Sequence, residues 1–121
     1  MPSGRGRVLA GVLALAVVAC AGAFSSTPTP DYVVTAIDYH FHDAHPTLPI
    51  GPGRDLVVKN EGQNVHNVTI TGTDYSQDVR PGEQLRIPDI AAFLGGPGTY
   101  SFYCHYHEAQ GMIGVIIIAS G

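Results

Sequence analysis

YSFYCHYHEAQGM is the sequence of residues 100–112, in which a strand pattern runs directly into a set of potential metal ligands. Tyr100, Phe102 and Cys104 occupy alternate positions, so on a strand their side chains point to the same face. From the cysteine onward the spacing is C-x-x-H-x-x-x-x-M, which brings a thiolate, an imidazole and a thioether onto one short loop. The stretch therefore predicts a metal-binding loop at the end of an inward-facing strand.

A second imidazole is available upstream. His66 lies in NEGQNVHNVTI, residues 60–70, where His66, Val68 and Ile70 share one face of a predicted strand. Two imidazoles and a thiolate in a trigonal site, with a weak axial thioether, suit copper and electron transfer. The predicted copper ligands, in chain order, are His66, Cys104, His107 and Met112.

The cysteine count supports a metal at this loop. The chain has two cysteines, Cys20 and Cys104, and in an exported protein such a pair would first indicate a disulfide. Cys20, however, belongs to a predicted export signal, where it is either cleaved off or lipidated. Cys104 is then a lone thiol in an oxidising compartment, a liability that a bound metal removes.

These motifs together resemble the cupredoxin family, and most closely the plastocyanin and pseudoazurin-like type 1 copper proteins. Those proteins carry G-x-Y-x-F-x-C-x-x-H-x-x-x-x-M near the C-terminus and an upstream His-Asn pair on a strand, and the resemblance covers roughly the last ninety residues. It implies a cupredoxin-like domain with one type 1 copper that passes single electrons between redox protein partners. It also implies that His107 presents its ring edge at the surface, and that Asn67 braces the loop that bears Cys104.

The loop departs from the family pattern at two positions. His105 and Tyr106 stand where plastocyanin-like proteins often have a small polar residue and a proline. Because His105 has the opposite parity to Cys104, we expect its side chain to face solvent and not the metal. Gly111 and Gly114 flank Met112 and are expected to permit the tight turn into the last strand.

Outside the loop, short apolar runs separated by turn residues predict an all-β domain. The chain contains 15 Gly and 9 Pro, so turns are frequent, and room for a short helix exists only in residues 88–98. About seven or eight short strands are typical of a β-sandwich with Greek-key connections. The predicted strands cover residues 31–41, 56–60, 65–70, 84–87, 99–104 and 115–119.

Two predictions concern the inward faces of these strands. Residues 31–41 are expected to form a single strand with one face made of Val33, Ile37, Tyr39 and Phe41. The continuous β-branched run at 115–119 is expected to pack on both faces.

The N-terminal region is predicted to direct export. Arg5 and Arg7 precede an apolar run of about a dozen residues, the length of a signal-peptide core and too short to span a bilayer. Residues 17–20, Val-Val-Ala-Cys, resemble a bacterial lipobox, so Cys20 is expected to become a lipidated N-terminus at the outer face of the cytoplasmic membrane. The alternative is a soluble secreted or periplasmic protein cleaved after Ala23.

These signals divide the chain into three parts. Residues 1–19 are the predicted signal peptide, residues 20–30 the lipidated cysteine and a flexible tether, and residues 31–121 the copper-binding domain. The formal net charge is −4, and removal of residues 1–19 leaves four basic and ten acidic side chains. Such an acidic domain is a poor candidate for binding nucleic acid, and we expect a monomer.

A histidine cluster keeps a second function open. His40 and His42 share a strand face with Asp38, with His45 close by, and this geometry can chelate a copper or zinc ion. The other interpretation is a solvated strand face. If the cluster binds copper, the protein stores, senses or delivers the ion instead of carrying electrons.

No enzymatic function is predicted. The longer Cys-to-His spacing of multicopper oxidases is absent, and the sequence does not indicate their trinuclear site. No serine lies in a nucleophile-elbow context either.

Overall fold

The computed structural model describes residues 28–42 and 48–121, and its regular structure is almost entirely β. A short helix, α1 (Ile90–Leu94), and a single 3-10 turn, Glu108–Gln110, interrupt the strands. The prediction of an all-β sandwich of seven to eight strands is therefore confirmed. The eight strands are β1 (Tyr32–Ile37), β2 (His40–His42), β3 (Leu56–Asn60), β4 (His66–Ile70), β5 (Ser76–Val79), β6 (Gln84–Ile87), β7 (Gly98–Tyr103) and β8 (Ile113–Ile118).

The strands form two four-stranded sheets. The first has the order β2-β1-β3-β6 and the second the order β5-β4-β7-β8. All neighbours are antiparallel except β1 and β3, which run parallel with Val34 opposite Val58. The apolar faces of both sheets meet in one core, in which Phe41 and Phe102 lie with their ring centroids 4.8 Å apart.

Residues 31–41 form a hairpin, so the prediction of one continuous strand is wrong. β1 and β2 pair antiparallel around a turn at Asp38 and Tyr39. The turn breaks the alternation: Val34 is fully buried, whereas Val33, predicted to face inward, is 38% exposed. Asp38 and Tyr39 therefore belong to the turn between the two strands and not to either strand.

Two further differences come from the second sheet. β5 (Ser76–Val79) was not predicted, because three of its four residues are polar and exposed and only Val79 is buried. β8 alternates, with Ile116 and Ile118 buried and Val115 and Ile117 half-buried, so the prediction that this strand packs on both faces is wrong. Both strands have one face toward solvent, as is common in antiparallel sheets.

The two glycines near Met112 have different roles. Gly111 has a φ of 86° and ends the 3-10 turn, as a left-handed turn position requires. Gly114 lies within β8 opposite Phe102, and a Cβ there would collide with Cζ of that ring and lie 2.6 Å from Cε1. Gly114 therefore permits close packing of an aromatic ring and not a turn.

The predicted signal peptide and Cys20 lie outside the described residues, and the division into three parts remains a prediction. Within residues 28–42 and 48–121, no helix has the length and apolar character needed to cross a membrane.

Candidate metal centre

The pairing of β4 with β7 brings the predicted ligands to one end of the sandwich. The two strands are antiparallel neighbours, with Ile70 opposite Phe102. His66 is the first residue of β4 and Cys104 directly follows β7. The start of one strand thus lies beside the end of the other, and ligands 38 residues apart in sequence become neighbours.

Three potential ligand atoms converge there. Nδ1 of His107 lies 3.5 Å from Sγ of Cys104, and Nδ1 of His66 lies 4.0 Å from the same sulfur. The two Nδ1 atoms are 3.2 Å apart. Cys104 and His66 are buried, at 0% and 1% exposure, whereas His107 is half-buried. The three side chains therefore surround one small volume that opens to solvent on the His107 side.

Met112 is held at this end by the loop's own backbone. The Cys104 N–H donates to the Met112 carbonyl at 3.0 Å, and the Met112 N–H donates to the His107 carbonyl at 3.3 Å. Met112 is fully buried and belongs to the same core cluster as Cys104. All four predicted ligands are thus carried by a loop and a strand that are fixed against each other.

The donor set fits copper. Cys104 is a buried free thiol whose sulfur lies 3.5 Å and 4.0 Å from two imidazole nitrogens, and a thiolate with two imidazoles is a donor set that holds a soft metal. Met112 adds a buried thioether in the same core cluster, and a thioether is a ligand typical of copper, whereas zinc sites use nitrogen, thiolate and carboxylate. His66, Cys104 and His107, together with Met112, are arranged as a type 1 copper site.

Asn67 braces the cysteine, as predicted. Its backbone N–H donates to Sγ of Cys104 at 3.3 Å, and its Oδ1 accepts from the His105 N–H at 3.4 Å. Hydrogen bonds of this kind fix the orientation of a thiolate ligand and tune the metal.

Tyr106 extends this brace to β5. Its hydroxyl donates to Oδ2 of Asp78 at 2.7 Å, and Oδ1 of Asp78 accepts from Nδ2 of Asn67 at 3.0 Å. The hydrogen bonds from Asn67 and then Tyr106 lower the pKa of Asp78, and the bond to Asp78 raises the pKa of Tyr106. Tyr106 therefore ties the loop to the sheet through its side chain.

Asp38 is a residue of the site that was predicted on the wrong face. Its Oδ1 lies 2.7 Å from Nε2 of His66, so it contacts the predicted ligand and not the His40 and His42 pair. Burial lowers the pKa of His66, and hydrogen bonding, first from the Gln63 backbone N–H, lowers the pKa of Asp38. At neutral pH the ring is thus neutral and the carboxylate is ionised.

The other histidines are on the surface. His40 and His42 are exposed, with their Nε2 atoms 3.0 Å apart and their ring centroids 4.3 Å apart. His45 lies outside the described residues. His105 is exposed as predicted, and its ring contacts Tyr106 at a centroid distance of 4.2 Å.

Exposed apolar and aromatic side chains surround His107. The Tyr39 ring is 42% exposed and lies 4.7 Å from the His107 ring, and Tyr106 is 49% exposed with its ring 6.3 Å away. Val65 is 39% exposed and lines a hollow together with Tyr106 and His107, and Asp78 and Arg80 line the other part of that hollow. We call Tyr39, Val65 and Tyr106 the His107 patch. The three side chains of the patch are uncharged, and two of them are aromatic rings that lie beside the half-buried histidine.

The family model described as "Cupredoxin-like domain" matches residues 8–118. Chloroplast plastocyanin from Pisum sativum is 28% identical over 117 residues, covering 89% of this chain and 70% of that protein. A copper-containing nitrite reductase (NirK) from Thermus scotoductus SA-01 superimposes with a TM-score of 0.62 at 20% identity, over 85% of this chain but 25% of its own. Auracyanin from Roseiflexus castenholzii superimposes with a TM-score of 0.56 at 21% identity, over 78% of this chain and 99% of its own. At these identities the two structures show a shared fold.

Proposed function

The chain belongs to the cupredoxin-like domain family, with plastocyanins among its relatives, and on this basis we propose that it carries single electrons between redox proteins. Copper, when bound, supplies the chemistry by alternating between Cu(II) and Cu(I). The observation that carries the proposal is the convergence of His66, Cys104 and His107 at one buried end, with His107 alone reaching the surface.

Rapid electron transfer requires a ligand set that moves little, and the backbone provides this. Two hydrogen bonds hold Cys104 in place. The Cys104 N–H donates to the Met112 carbonyl, and the Asn67 N–H donates to Sγ of Cys104. The His107 N–H donates to the Cys104 carbonyl at 3.1 Å, which closes the loop on itself. Such a site resists the different geometries that the two oxidation states prefer, so little reorganisation accompanies the transfer.

His107 and its patch supply the route to a partner. The ring links the buried sulfur to the surface, since its Nδ1 lies 3.5 Å from Sγ and its neighbours are exposed. An apolar surface of this kind suits a brief encounter with another redox protein, because it excludes water without requiring paired charges.

A carrier is favoured over an enzyme by the extent of the similarity. This chain matches a quarter of the nitrite reductase chain, whereas it matches 99% of auracyanin. We therefore propose a carrier that binds one copper, and not an enzyme that transforms a substrate.

Electron self-exchange tests the proposal, because two copies must meet through the His107 patch. Val65→Glu places a charge in the patch and is expected to slow self-exchange by about tenfold or more, since docking would bury like charges. Val33→Glu is the matched control, because Val33 is equally exposed at 38% but lies on β1. Both variants should keep the copper spectrum. Equal self-exchange rates in the two variants would contradict docking through the His107 patch. Release of copper on reduction would contradict the proposal that the protein carries electrons.

Copper handling is a second candidate, favoured by the exposed His40 and His42 pair. Nε2 atoms 3.0 Å apart can occupy neighbouring positions on one divalent ion, since metal–nitrogen bonds are about 2.0–2.1 Å. A second Cu(II) per chain that is lost in His40→Ala would support this function. One copper that stays bound through reduction would support electron carriage alone.

We further propose that the protein is an exported monomer anchored by lipid on Cys20. The support is the lipobox-like sequence at residues 17–20 after an apolar run. Incorporation of labelled fatty acid that is lost in Cys20→Ser would agree, and a soluble product beginning after Ala23 would replace anchoring with secretion.

A further inference from the structure

The predicted ligand His66 has a carboxylate on the side of its ring that faces away from Cys104. Nδ1 faces the sulfur, whereas Nε2 lies 2.7 Å from Oδ1 of Asp38. The ring is 1% exposed and the Asp38 side chain 20% exposed, so the contact is largely shielded from water.

The carboxylate is held in place by a separate set of donors. Oδ2 of Asp38 accepts from the Gln63 N–H at 2.9 Å and from Nδ2 of Asn64 at 3.1 Å. The Asn64 N–H adds a longer bond to Oδ1 at 3.4 Å. The β1–β2 turn is thereby joined to the segment that precedes β4, and the carboxylate cannot swing away from the ring without losing these bonds.

Gly62 leaves room for this contact. A Cβ at this position would collide with Oδ1 of Asp38 and lie 3.0 Å from Nε2 of His66. The absence of a side chain at Gly62 therefore serves this pair of residues, since the φ of Gly62 is outside the left-handed range and its backbone conformation does not require glycine.

We propose that Asp38 is a positioning residue for His66 that fixes its metal-ready tautomer and lowers the reduction potential of the site. By accepting a hydrogen bond from the Nε2–H of His66, the carboxylate leaves the Nδ1 lone pair directed at Cys104 and His107. As a negative charge one ring away from the metal, it stabilises Cu(II) more than Cu(I). The inference rests on the proposed function and adds to it a residue that helps to set the driving force for electron transfer.

The magnitude follows from partners of this type. Mutation of a residue that hydrogen-bonds a metal-bound histidine typically costs 10–100-fold in metal affinity. If Asp38→Asn weakens Cu(II) binding about tenfold and leaves Cu(I) binding unchanged, the reduction potential rises by about 59 mV, the one-electron equivalent of a tenfold change.

The experiment compares three variants of the copper-loaded chain. Asp38→Asn removes the charge, Gly62→Ala keeps the charge but displaces the carboxylate, and Glu61→Gln removes a neighbouring exposed charge as the matched control. We expect a shift of about tenfold or more in the redox equilibrium for the first two and less than twofold for the control. Because both act on one contact, the double variant should shift no further than the larger single one.

A second readout needs no copper. In the apoprotein, ¹⁵N NMR of the histidine rings should show His66 protonated at Nε2, and Gly62→Ala should populate the Nδ1-protonated form. If the wild type carries its proton on Nδ1, the proposal is overturned. It is also overturned if all variants bind one copper with unchanged spectra and their redox equilibria stay within twofold of wild type. Failure of the wild type to bind copper would instead refute the proposed function, and the apoprotein tautomer would still decide the role of Asp38.

Discussion

Gly114→Ala is expected to destabilise the domain through the core ring that it faces. The added methyl group would collide with Cζ of Phe102 and lie 2.6 Å from Cε1, whereas carbon atoms in contact are about 3.5–4.0 Å apart. Phe102 is fully buried and packs against Phe41 at 4.8 Å, so its ring has no free space to enter. β7 and β8 must separate locally, or the ring must leave its preferred rotamer.

Overpacking of this kind costs about 1–3 kcal/mol. In a domain of about ninety residues each kcal/mol lowers Tm by about 4–8 °C, so the variant should unfold at least about 4 °C below wild type. Thermal unfolding of the apoprotein, followed by circular dichroism, measures this without a contribution from metal binding.

Gly51→Ala is the matched control, since a Cβ at Gly51 meets no atom within 4 Å and its φ is outside the left-handed range. Its Tm should stay within about 2–4 °C of wild type, because substitutions that disturb no packing or backbone conformation usually change stability by less than about 0.5 kcal/mol. An unchanged Tm for Gly114→Ala would refute the packing described for β7 and β8.

Three further predictions test the site and the core. The apoprotein should lose stability as pH falls below about 6.5, because the lowered pKa of His66 in the folded state means that the unfolded chain takes up the proton first. In urea unfolding, the free energy of unfolding of His66→Gln should depend less steeply on pH than that of wild type. Equal slopes would contradict the assignment. Met112→Leu should keep the apoprotein within about 1.5 kcal/mol of wild type and still bind copper, but voltammetry should show a changed potential; loss of copper would make the axial role wrong. Ile50→Ala should lower the free energy of unfolding in urea by about 2–5 kcal/mol, since Ile50 is fully buried and its backbone N–H donates to Ile117 of β8. A decrease below about 1 kcal/mol would mean that Ile50 lies outside the cooperative core.

The features that the sequence predicts correctly are local in the chain. Cys104, His107 and Met112 lie within nine positions, so their spacing alone predicts a shared loop. His66 was found because strand alternation puts it on the same face as Val68 and Ile70, both buried in the structure. Turn residues separate most of the strands, which is why their number was predicted well.

The errors arise where one pattern was extended through a break. Alternation continued across the β1–β2 turn assigned Asp38 to a solvated face, although the turn redirects its side chain to His66. β5 was missed because a polar strand at a sheet edge lacks an apolar repeat. The Tyr106–Asp78 bond joins residues 28 apart, and no spacing rule in a single sequence connects them.

Addition of one equivalent of Cu(II) to the apoprotein, followed by the visible spectrum and copper analysis, tests the central claim most directly. We predict one copper per chain, an intense thiolate-to-copper band, reversible bleaching by a mild reductant, and loss of the band in Cys104→Ser. A pale complex, or a spectrum that is the same in Cys104→Ser, would mean that the sulfur of Cys104 does not bind the metal, and the proposed electron carrier would be wrong.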